Sequence, residues 1–349
     1  MGKKKKILII QKVHEKGMEL INNHPNFDVE VTDDTSVENL KSKIKDCDGA
    51  SIRIAKLSGD VINEAKNLKI ISRHGVGYDN IDLKTAKERD IKIAITANAN
   101  AVTVAEHVMF VLLNIAKRRE LYHTTVKEGN FKDRNKLPKT IEVWKKNFLI
   151  MGFGRIGKAL IKRCLGFEMN VYVYDPFVDK DIIDKLGGEK VNNIEEAVKT
   201  MDVISLHMPL TEKTENLINY DLLKTMKKNC IIINAARGGI IHEEDLDKAL
   251  NEDLIFGAGI DVFKQEPPEN DNPLLKNEKA LLSVFLSLLF LEILSIFSRI
   301  FSAAGISNSG SSVNDTRIVS PIPSVSKVPI PNADFILPSS PSPASVTPK

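Results

Sequence analysis

Short apolar runs alternate with amphipathic stretches twice along the 349-residue chain, and this pattern constrains the fold more than any other feature. Apolar runs bounded by polar or glycine residues predict buried strands, and the stretches between them predict helices. Strands and helices that alternate at this spacing form parallel sheets with helices on both faces. The predicted strands are residues 7–10, 27–31, 49–54, 68–72 and 91–95 in a first unit, and 148–151, 171–174, 203–207, 230–234 and 256–262 in a second.

Residues 101–121, between the two units, predict one long helix with an unusually wide apolar face. Such a face suits a helix buried between domains or in a subunit contact, which suggests a dimer. His107 lies on this helix, and a lone histidine in such a place is usually structural. Further helices are predicted at 36–44, 60–67, 155–165 and 243–250.

The charge balance gives no electrostatic case for a nucleic-acid partner. Lys plus Arg number 49 and Asp plus Glu number 46, so the formal net charge is +3, with the two signs mixed along the chain. The cysteines Cys47, Cys164 and Cys230 lie too far apart for a disulfide framework or a CxxC zinc site, which fits a reducing compartment. The apolar run Ile7–Ile10 is too short for a signal peptide, so we expect a cytoplasmic protein.

The composition changes abruptly about three quarters of the way along the chain. Residues 276–349 hold 10 charged residues, whereas residues 1–275 hold 85. Residues 280–301 are apolar and long enough in principle to span a bilayer, but Glu292 in the middle disfavours insertion by about 2.5–3.5 kcal/mol. We therefore expect a packed helix there and no membrane span. Residues 302–349 hold twelve serines and eight prolines, a composition that predicts disorder.

The glycines Gly152, Gly154 and Gly157 form a GxGxxG motif between a predicted strand and a predicted helix, the context of a dinucleotide-binding turn. The first glycine permits a tight turn, the second lets backbone approach a pyrophosphate, and the third lets helix and strand pack closely. Asp175 ends the next strand, 18 residues beyond Gly157. A carboxylate there binds the adenosine ribose and repels the extra phosphate of NADP, so we predict NAD. The alternative is a glycine-rich turn with an incidental surface aspartate.

Polar residues at strand ends are candidates for substrate chemistry. Arg237 follows the strand 230–234, where a guanidinium can bind a carboxylate through two parallel hydrogen bonds; the alternative is a solvated or salt-bridged side chain. Asp261 ends the last strand and is placed to contact a cofactor, and Glu266 precedes a Pro-Pro pair. Each carboxylate is otherwise an ordinary loop residue. The close glycines within 73–82 suggest a loop that approaches a ligand, or an ordinary turn.

Seven segments in a fixed order resemble the D-isomer-specific 2-hydroxyacid dehydrogenases, the family of D-3-phosphoglycerate, glycerate and hydroxypyruvate dehydrogenases. The resemblance covers about residues 5–275 and implies an α/β fold of two doubly wound parallel-sheet domains. It implies a flavodoxin-like substrate-binding domain at 1–98 and a Rossmann NAD-binding domain at 99–275, followed by the atypical segment 276–301 and the tail 302–349. The segments are RHGVGYDNID (73–82), TVAEHVM (103–109), MGFGRIGKAL (151–160), VYVYDP (171–176), HMPLTEKT (207–214), INAARGGII (233–241) and GIDVFKQEPP (259–268).

The resemblance also implies roles for individual residues. Backbone amides at Val76 and Gly77 hold the substrate carboxylate, and Arg237 binds carboxylate and carbonyl and polarises the latter. Glu266 matches the acid that orients a catalytic histidine and favours its protonated form. The implied NAD contacts, besides the three glycines of the motif, are Thr103, Arg155, Ile156, Asp175, Pro209, Thr214, Ala235 and Asp261.

The reaction that the resemblance implies is hydride transfer between the nicotinamide and the hydroxyl-bearing carbon of a small D-2-hydroxy acid, in either direction, while a histidine moves the proton. A homodimer is implied as well, with a small 2-hydroxy or 2-oxo acid as substrate. The sequence does not identify which acid; His74 and Asn100 lie in the segments that would set it.

The resemblance ends before the family's catalytic histidine, which lies in a Pro-His loop beyond the Glu-Pro pair. This chain has no histidine after His242, and the family assigns the proton-transfer role to neither His74 nor His207. We expect the final strand, the proton donor and the returning helix to be absent, which would leave an unpaired sheet edge. Our hypothesis is that residues from about 276 onward come from a frameshift, a gene-assembly junction or a pseudogene-like event. Catalysis would then be impaired; the alternative function is a catalytically silent NAD-binding module that acts through partners.

Overall fold

A computed structural model describes residues 4–75, 77–95, 100–284 and 318–319. The first unit forms a parallel sheet whose elements are β1 Lys5–Ile10, α1 Glu15–Asn22, β2 Phe27–Thr32, α2 Val37–Ile44, β3 Gly49–Ile52, α3 Gly59–Glu64, β4 Ile70–Arg73, α4 Leu83–Glu88 and β5 Lys92–Ile95. In space the order is β2-β1-β3-β4-β5. This is the flavodoxin-like order of doubly wound sheets, as predicted. The chain leaves β1 and β3 in opposite directions, so their carboxyl ends border a crevice.

The second unit forms a larger parallel sheet in the order β12-β11-β10-β9-β6-β7-β8. It is the Rossmann order, extended by one strand. Its helices are α5 Ala101–Ala116, α6 Arg119–Lys127, α7 Arg155–Gly166, α8 Lys180–Lys185, α9 Ile194–Ala197, α10 Tyr220–Leu223 and α11 Glu243–Asn251, with 3-10 turns at Phe131–Asn135, Val198–Thr200 and Pro273–Lys276. Its strands are β6 Asn147–Met151, β7 Asn170–Tyr174, β8 Glu189–Val191, β9 Val203–Leu206, β10 Ile231–Asn234, β11 Gly257–Ile260 and β12 Ala280–Leu282.

The central strand β6 contributes side chains to both faces of the second sheet. Phe148 and Ile150 join the apolar cluster that includes residues of α5 and α7, whereas Leu149 and Met151 join the cluster on the opposite face. All four side chains are fully buried. Truncation of one such side chain to alanine costs about 2–5 kcal/mol, so β6 anchors the glycine turn that follows it.

Residues 101–121, for which one helix was predicted, form two helices. α5 ends at Ala116, and Arg118 has a left-handed φ of 48° immediately before α6 begins. The guanidinium of Arg118 lies 4.5 Å from the centroid of the Phe256 ring, and its Nε donates a hydrogen bond to the carbonyl of Lys139 at 3.2 Å. The prediction of one continuous helix is therefore wrong. Contacts distant in sequence stabilise the turn, and helical periodicity does not reveal them.

The second sheet extends past the point at which the composition changes. β12 pairs in parallel with β11, with Leu282 opposite Ile260. The predictions of a missing final strand, an unpaired edge and a helix starting at residue 280 are therefore wrong. The physical reason is that this apolar run satisfies the exposed backbone groups of β11. Its side chains also alternate between the two apolar clusters: Ala280 and Leu282 pack on one face and Leu281 on the other. The domain boundary at residue 275 stays a prediction.

Two residues of the Ser/Pro-rich tail, Ile318 and Val319, form the short strand β13. It pairs antiparallel with β5, at Ala94 and Ile93. The rest of the tail for which disorder was predicted lies outside the described residues, as do residues 285–301 with their expected packed helix. Within the described ranges, every helix is too short or too polar to cross a membrane.

Candidate active site

The turn between β6 and α7 carries the GxGxxG motif. Gly152 has a φ of +99°, and a Cβ on it would lie 2.5 Å from the carbonyl oxygen of His207, so any other residue would strain the backbone. A Cβ on Gly157 would lie 2.5 Å from the carbonyl oxygen of Gly152. A Cβ on Gly154, by contrast, would have no atom within 4 Å. Gly152 and Gly157 therefore shape the turn, whereas Gly154 borders open space.

The open space beside Gly154 lies at the N-terminus of α7, whose first two residues are Arg155 and Ile156. The first N–H groups of a helix lack partners within the helix, and the helix dipole attracts anions to them. β6 also lies at the topological switch point of the sheet, because its neighbours β7 and β9 continue in opposite directions. The pyrophosphate of a dinucleotide fits these residues, because it requires backbone donors and a position without a side chain.

Asp175 follows β7, and its carboxylate is tied to the glycine turn. Oδ2 accepts a hydrogen bond from the backbone N–H of Phe153 at 2.7 Å, and Oδ1 accepts one from the N–H of Phe177 at 2.8 Å. Each carboxylate oxygen has capacity for a further bond, which suits the two hydroxyls of a ribose. The fixed negative charge disfavours a phosphate at the same place, so the geometry agrees with NAD rather than NADP.

The loop that follows β9 lies beside the glycine turn, because the carbonyl of His207 faces Gly152. Thr214 Oγ1 donates to the carbonyl of Pro209 at 2.7 Å and closes this loop on itself. The imidazole Nε2 of His207 lies 2.9 Å from Ser205 Oγ, and burial lowers the pKa of His207 to about 4. His207 is therefore neutral at pH 7.

Arg237 joins the carboxyl edges of the two sheets. Its Nε donates to the carboxylate of Asp79 at 3.0 Å, and its Nη1 donates to the carbonyl of Ala236 at 2.6 Å. A Cβ on Gly77 would overlap the guanidinium, so a side chain there would displace Arg237 from its present position. The predicted substrate loop and the predicted substrate-binding arginine thus lie together. Val76, the other residue predicted to bind the substrate carboxylate, lies outside the described residues.

Asn234 orders the loop that carries Arg237, and sequence reasoning missed it. The buried amide donates from Nδ2 to the carbonyl of Arg237 at 2.9 Å and accepts at Oδ1 from the N–H of Ala236 at 3.1 Å. A polar residue at the end of the apolar run IIIN was the available signal. Ala235, a predicted NAD contact, is half-buried in the same loop.

A second polar cluster joins α5 to the ends of β11 and β12. Ser283 Oγ donates to Asp261 Oδ1 at 2.6 Å, and His107 Nε2 lies 3.0 Å from Ser283 Oγ and 3.3 Å from Asp261 Oδ1. The side chains of His107 and Asp261 are only 7% and 14% exposed. Asp261 was a predicted NAD contact, whereas Ser283 lies in the segment set aside as atypical and was missed. Thr103, another predicted contact, lies one turn before His107 on α5.

Glu266, the predicted partner of a catalytic histidine, lies in an exposed loop after β11. Its Oε1 accepts a hydrogen bond from the backbone N–H of Phe263 at 3.1 Å. Across the part of the chain that the structure describes, no hydrogen bond or ion pair joins Glu266 to a histidine. Of the acid–histidine pair that the resemblance implies, the described residues therefore supply the acid.

Comparison with known families and proteins agrees with this geometry. Residues 109–287 match the family described as D-isomer specific 2-hydroxyacid dehydrogenase, NAD binding domain. A D-3-phosphoglycerate dehydrogenase of Methanocaldococcus jannaschii is 41% identical over 77% of this chain and 51% of the relative. A glyoxylate reductase of Korarchaeum cryptofilum is 34% identical over 80% of this chain and 85% of the relative. The chain thus spans about half the length of the first relative and most of the second.

Solved structures share the fold over most of the chain. The NAD-dependent formate dehydrogenase of Staphylococcus aureus, solved in complex with NAD, is 27% identical with a TM-score of 0.69. The alignment covers 86% of this chain and 94% of that one. Together the comparisons confirm the predicted fold class, the resemblance and NAD as the cofactor, while the roles of individual site residues stay predictions.

Proposed function

Because the chain belongs to the D-isomer specific 2-hydroxyacid dehydrogenase family, we propose that it interconverts a small D-2-hydroxy acid and its 2-oxo acid with NAD. The observation that carries this proposal is the contact between Arg237 and Gly77, which brings a guanidinium to a glycine loop at the carboxyl edges of the two sheets. The same edge of the second sheet presents the glycine turn and Asp175. Bound NAD supplies the carbon that accepts or donates the hydride.

Arg237 recognises the carboxylate of the substrate and polarises the neighbouring carbonyl. A guanidinium binds a carboxylate through two parallel N–H donors, and the backbone amides at Val76 and Gly77 add further donors. During reduction of a 2-oxo acid, negative charge develops on the carbonyl oxygen, and the nearby cation stabilises it. Asp79 anchors the guanidinium on its Nε edge, and Asn234 fixes the backbone that carries it. His74 and Asn100 are the side chains that we expect to select among acids.

Of the steps in the proposed reaction, proton transfer is the one for which this chain offers the fewest suitable residues. Glu266 matches the acid that orients a histidine, but this chain has no histidine after His242. His207 lies beside the crevice, yet its pKa of about 4 leaves it neutral at pH 7, so it does not replace a protonated histidine. General acid–base catalysis by one residue is typically worth about 10²–10⁴ in rate. We therefore propose that turnover by this chain is impaired by about that factor, while NAD binding is retained.

A catalytically silent NAD-binding module that acts through partners is the second candidate function. The observation that favours it is the contrast between an ordered nucleotide turn, tied to Asp175, and an acid at Glu266 without a histidine in contact among the described residues. Both candidates predict binding of NADH, and they differ in turnover.

Titration with NADH, followed by turnover assays with hydroxypyruvate, glyoxylate and phosphohydroxypyruvate, separates the candidates. The names of the relatives motivate this panel of 2-oxo acids. Slow but measurable oxidation of NADH with at least one acid supports the dehydrogenase. Binding without turnover of any acid supports the silent module, and absence of NADH binding contradicts both.

We further propose a cytoplasmic homodimer with no nucleic-acid or membrane partner. Four of the large hydrophobic residues that are more than half exposed lie on α5, on α6 or in the 3-10 turn that follows; they are Val102, Phe110, Val126 and Phe131. Association of two copies through α5 and α6 would cover these apolar residues. Light scattering after size exclusion would measure twice the chain mass if the proposed homodimer forms.

The three cysteines are free and buried, as suits a reducing compartment, and burial raises the pKa of Cys47 to about 11.

A further inference from the structure

The register of β11 and β12 places Asp261 and Ser283 side by side. Ile260 pairs with Leu282, and the N–H of Ser283 donates to the carbonyl of Ile260 at 2.9 Å. The N–H of Asp261 donates to the carbonyl of Asn234 on the next strand at 3.0 Å. The backbones of both residues are therefore fixed by the sheet, independently of their side chains.

α5 reaches this edge because β11 consists largely of small residues, GAGI. A Cβ on Gly259 would overlap the side chain of Val111, and a Cβ on Gly257 would lie 2.9 Å from Cγ2 of Ile115. The helix therefore lies directly on the strand. His107, one turn before Val111, comes level with the end of β11 as a result.

The direction of the hydrogen bonds follows from the donors available. A carboxylate only accepts, so the hydroxyl of Ser283 donates to Asp261 Oδ1. With that proton used, Ser283 Oγ accepts from His107 Nε2, which must therefore carry a hydrogen. The charge-assisted bond of 2.6 Å is short, as expected for an O–H donor to an ionised acceptor. Two side chains from different elements thus act on one oxygen of a nearly buried carboxylate.

We propose that His107 and Ser283 are positioning residues that hold the Asp261 carboxylate in the orientation in which it accepts a hydrogen bond from the carboxamide of the nicotinamide. This inference rests on the proposed function, because it takes NAD as the ligand at this edge. A carboxylate accepts hydrogen bonds and donates none, and the carboxamide is the N–H donor of the nicotinamide half. Neither His107 nor Ser283 needs to touch the cofactor for this role.

The test compares two ligands that differ in the nicotinamide. NADH carries it, whereas ADP-ribose keeps only the adenosine, the pyrophosphate and the second ribose. We expect Ser283→Ala to lower the affinity for NADH about tenfold, the usual effect of losing a hydrogen bond to a charged group, and to change the affinity for ADP-ribose less than about twofold. Calorimetric titration of the full chain measures both affinities.

Conservative variants distinguish positioning from a general structural role. Ser283→Thr keeps the hydroxyl and should bind NADH like the unmodified protein, and His107→Gln, which keeps an N–H, should do so as well. His107→Leu should lose affinity for NADH but not for ADP-ribose. Ser51→Ala, which removes another buried serine from β3 in the first sheet, is the matched control and should change neither affinity.

Three outcomes would overturn the inference. Equal loss of both affinities in Ser283→Ala would show a general structural role. An unchanged affinity for NADH in both Ser283→Ala and His107→Leu would show that Asp261 needs no support. Failure of the unmodified protein to bind either ligand would overturn the proposed function itself, and this inference with it.

Discussion

The two sides of the second sheet differ in how completely they match the chemistry expected of them. On the β6–β7 side, the glycine turn and Asp175 are joined by a hydrogen bond from Phe153, and the backbone leaves space beside Gly154. On the β11–β12 side, Asp261 is held by Ser283 and His107, but Glu266 contacts no histidine among the described residues. We call the β6–β7 side, with its glycine turn and Asp175, the nucleotide side, and the β11–β12 side, with Asp261 and Glu266, the catalytic side. The nucleotide side holds the glycine turn and the carboxylate predicted for it, whereas on the catalytic side the histidine expected beside Glu266 is not found among the described residues.

If the proposed function holds, this difference predicts that cofactor binding and catalysis are separable in this chain. Cofactor binding depends on backbone geometry, which the strands impose through sheet register and two shape-determining glycines. Proton transfer, as the resemblance implies it, depends on a single histidine. We therefore expect changes on the catalytic side to alter turnover without altering NAD binding, and changes in the glycine turn to do the reverse.

Restoring a histidine after β12 should have the largest effect. We expect Val284→Pro combined with Phe285→His to raise turnover of the preferred 2-oxo acid by about 10²–10⁴, because it supplies a general acid and base at about the distance from the Glu-Pro pair at which the resemblance implies a Pro-His pair. Steady-state oxidation of NADH measures the gain. Val284→Pro with Phe285→Gln is the control, and it should bind NADH equally and gain nothing. No gain at unchanged NADH affinity would contradict the view that only the proton carrier is missing.

Two glycines of the same turn should respond differently to substitution. Gly154→Val should lower the affinity for NADH about 100-fold with little change in stability, because the new side chain enters open space that the pyrophosphate needs. Gly152→Ala should instead destabilise the fold by about 2–4 kcal/mol, since its φ is +99° and its Cβ would meet the carbonyl of His207. Urea denaturation and NADH titration of both variants measure the two effects. A large loss of stability in Gly154→Val would contradict this division of roles.

The glycine turn and Asp175 could be predicted from the sequence because the residues that indicate them lie close together in the chain. Glycines, strand, helix and Asp175 lie within one short stretch, and the spacing alone predicts the turn. The cluster of Ser283, Asp261 and His107 could not be predicted from the sequence, because its three residues lie far apart in the chain. β12 was missed for a related reason: the run of three residues in this strand lies within an apolar stretch whose composition resembles a helix or a membrane span.

Burial of His207 beneath the nucleotide side should make stability depend on pH. Its pKa is about 4 in the folded chain and near 6.5 when unfolded, so the unfolded chain binds more protons between these values. The free energy of unfolding should therefore rise with pH in this window, and this group contributes about 2 kcal/mol between pH 5 and pH 7. Urea denaturation at pH 5, 6 and 7 measures the slope. His207→Gln should flatten it, whereas His123→Gln on the exposed face of α6 should not, and identical slopes in all three proteins would contradict the assignment.

Replacement of Asp175, the carboxylate predicted to bind the ribose, should have the smallest effect, because it changes charge and leaves the turn in place. Asp175→Asn keeps an oxygen that can accept from the N–H of Phe153, so the glycine turn should persist. It removes the charge that repels an added phosphate, and we expect the affinity for NADPH relative to NADH to rise about tenfold. Competitive titration of the two cofactors measures the ratio, and Asp179→Asn, a nearby carboxylate at the start of α8, is the control. If the ratio of NADPH affinity to NADH affinity stays constant in Asp175→Asn, other residues of the nucleotide side select the cofactor. The inference of NAD from the spacing of Asp175 and the glycine motif would then be incomplete.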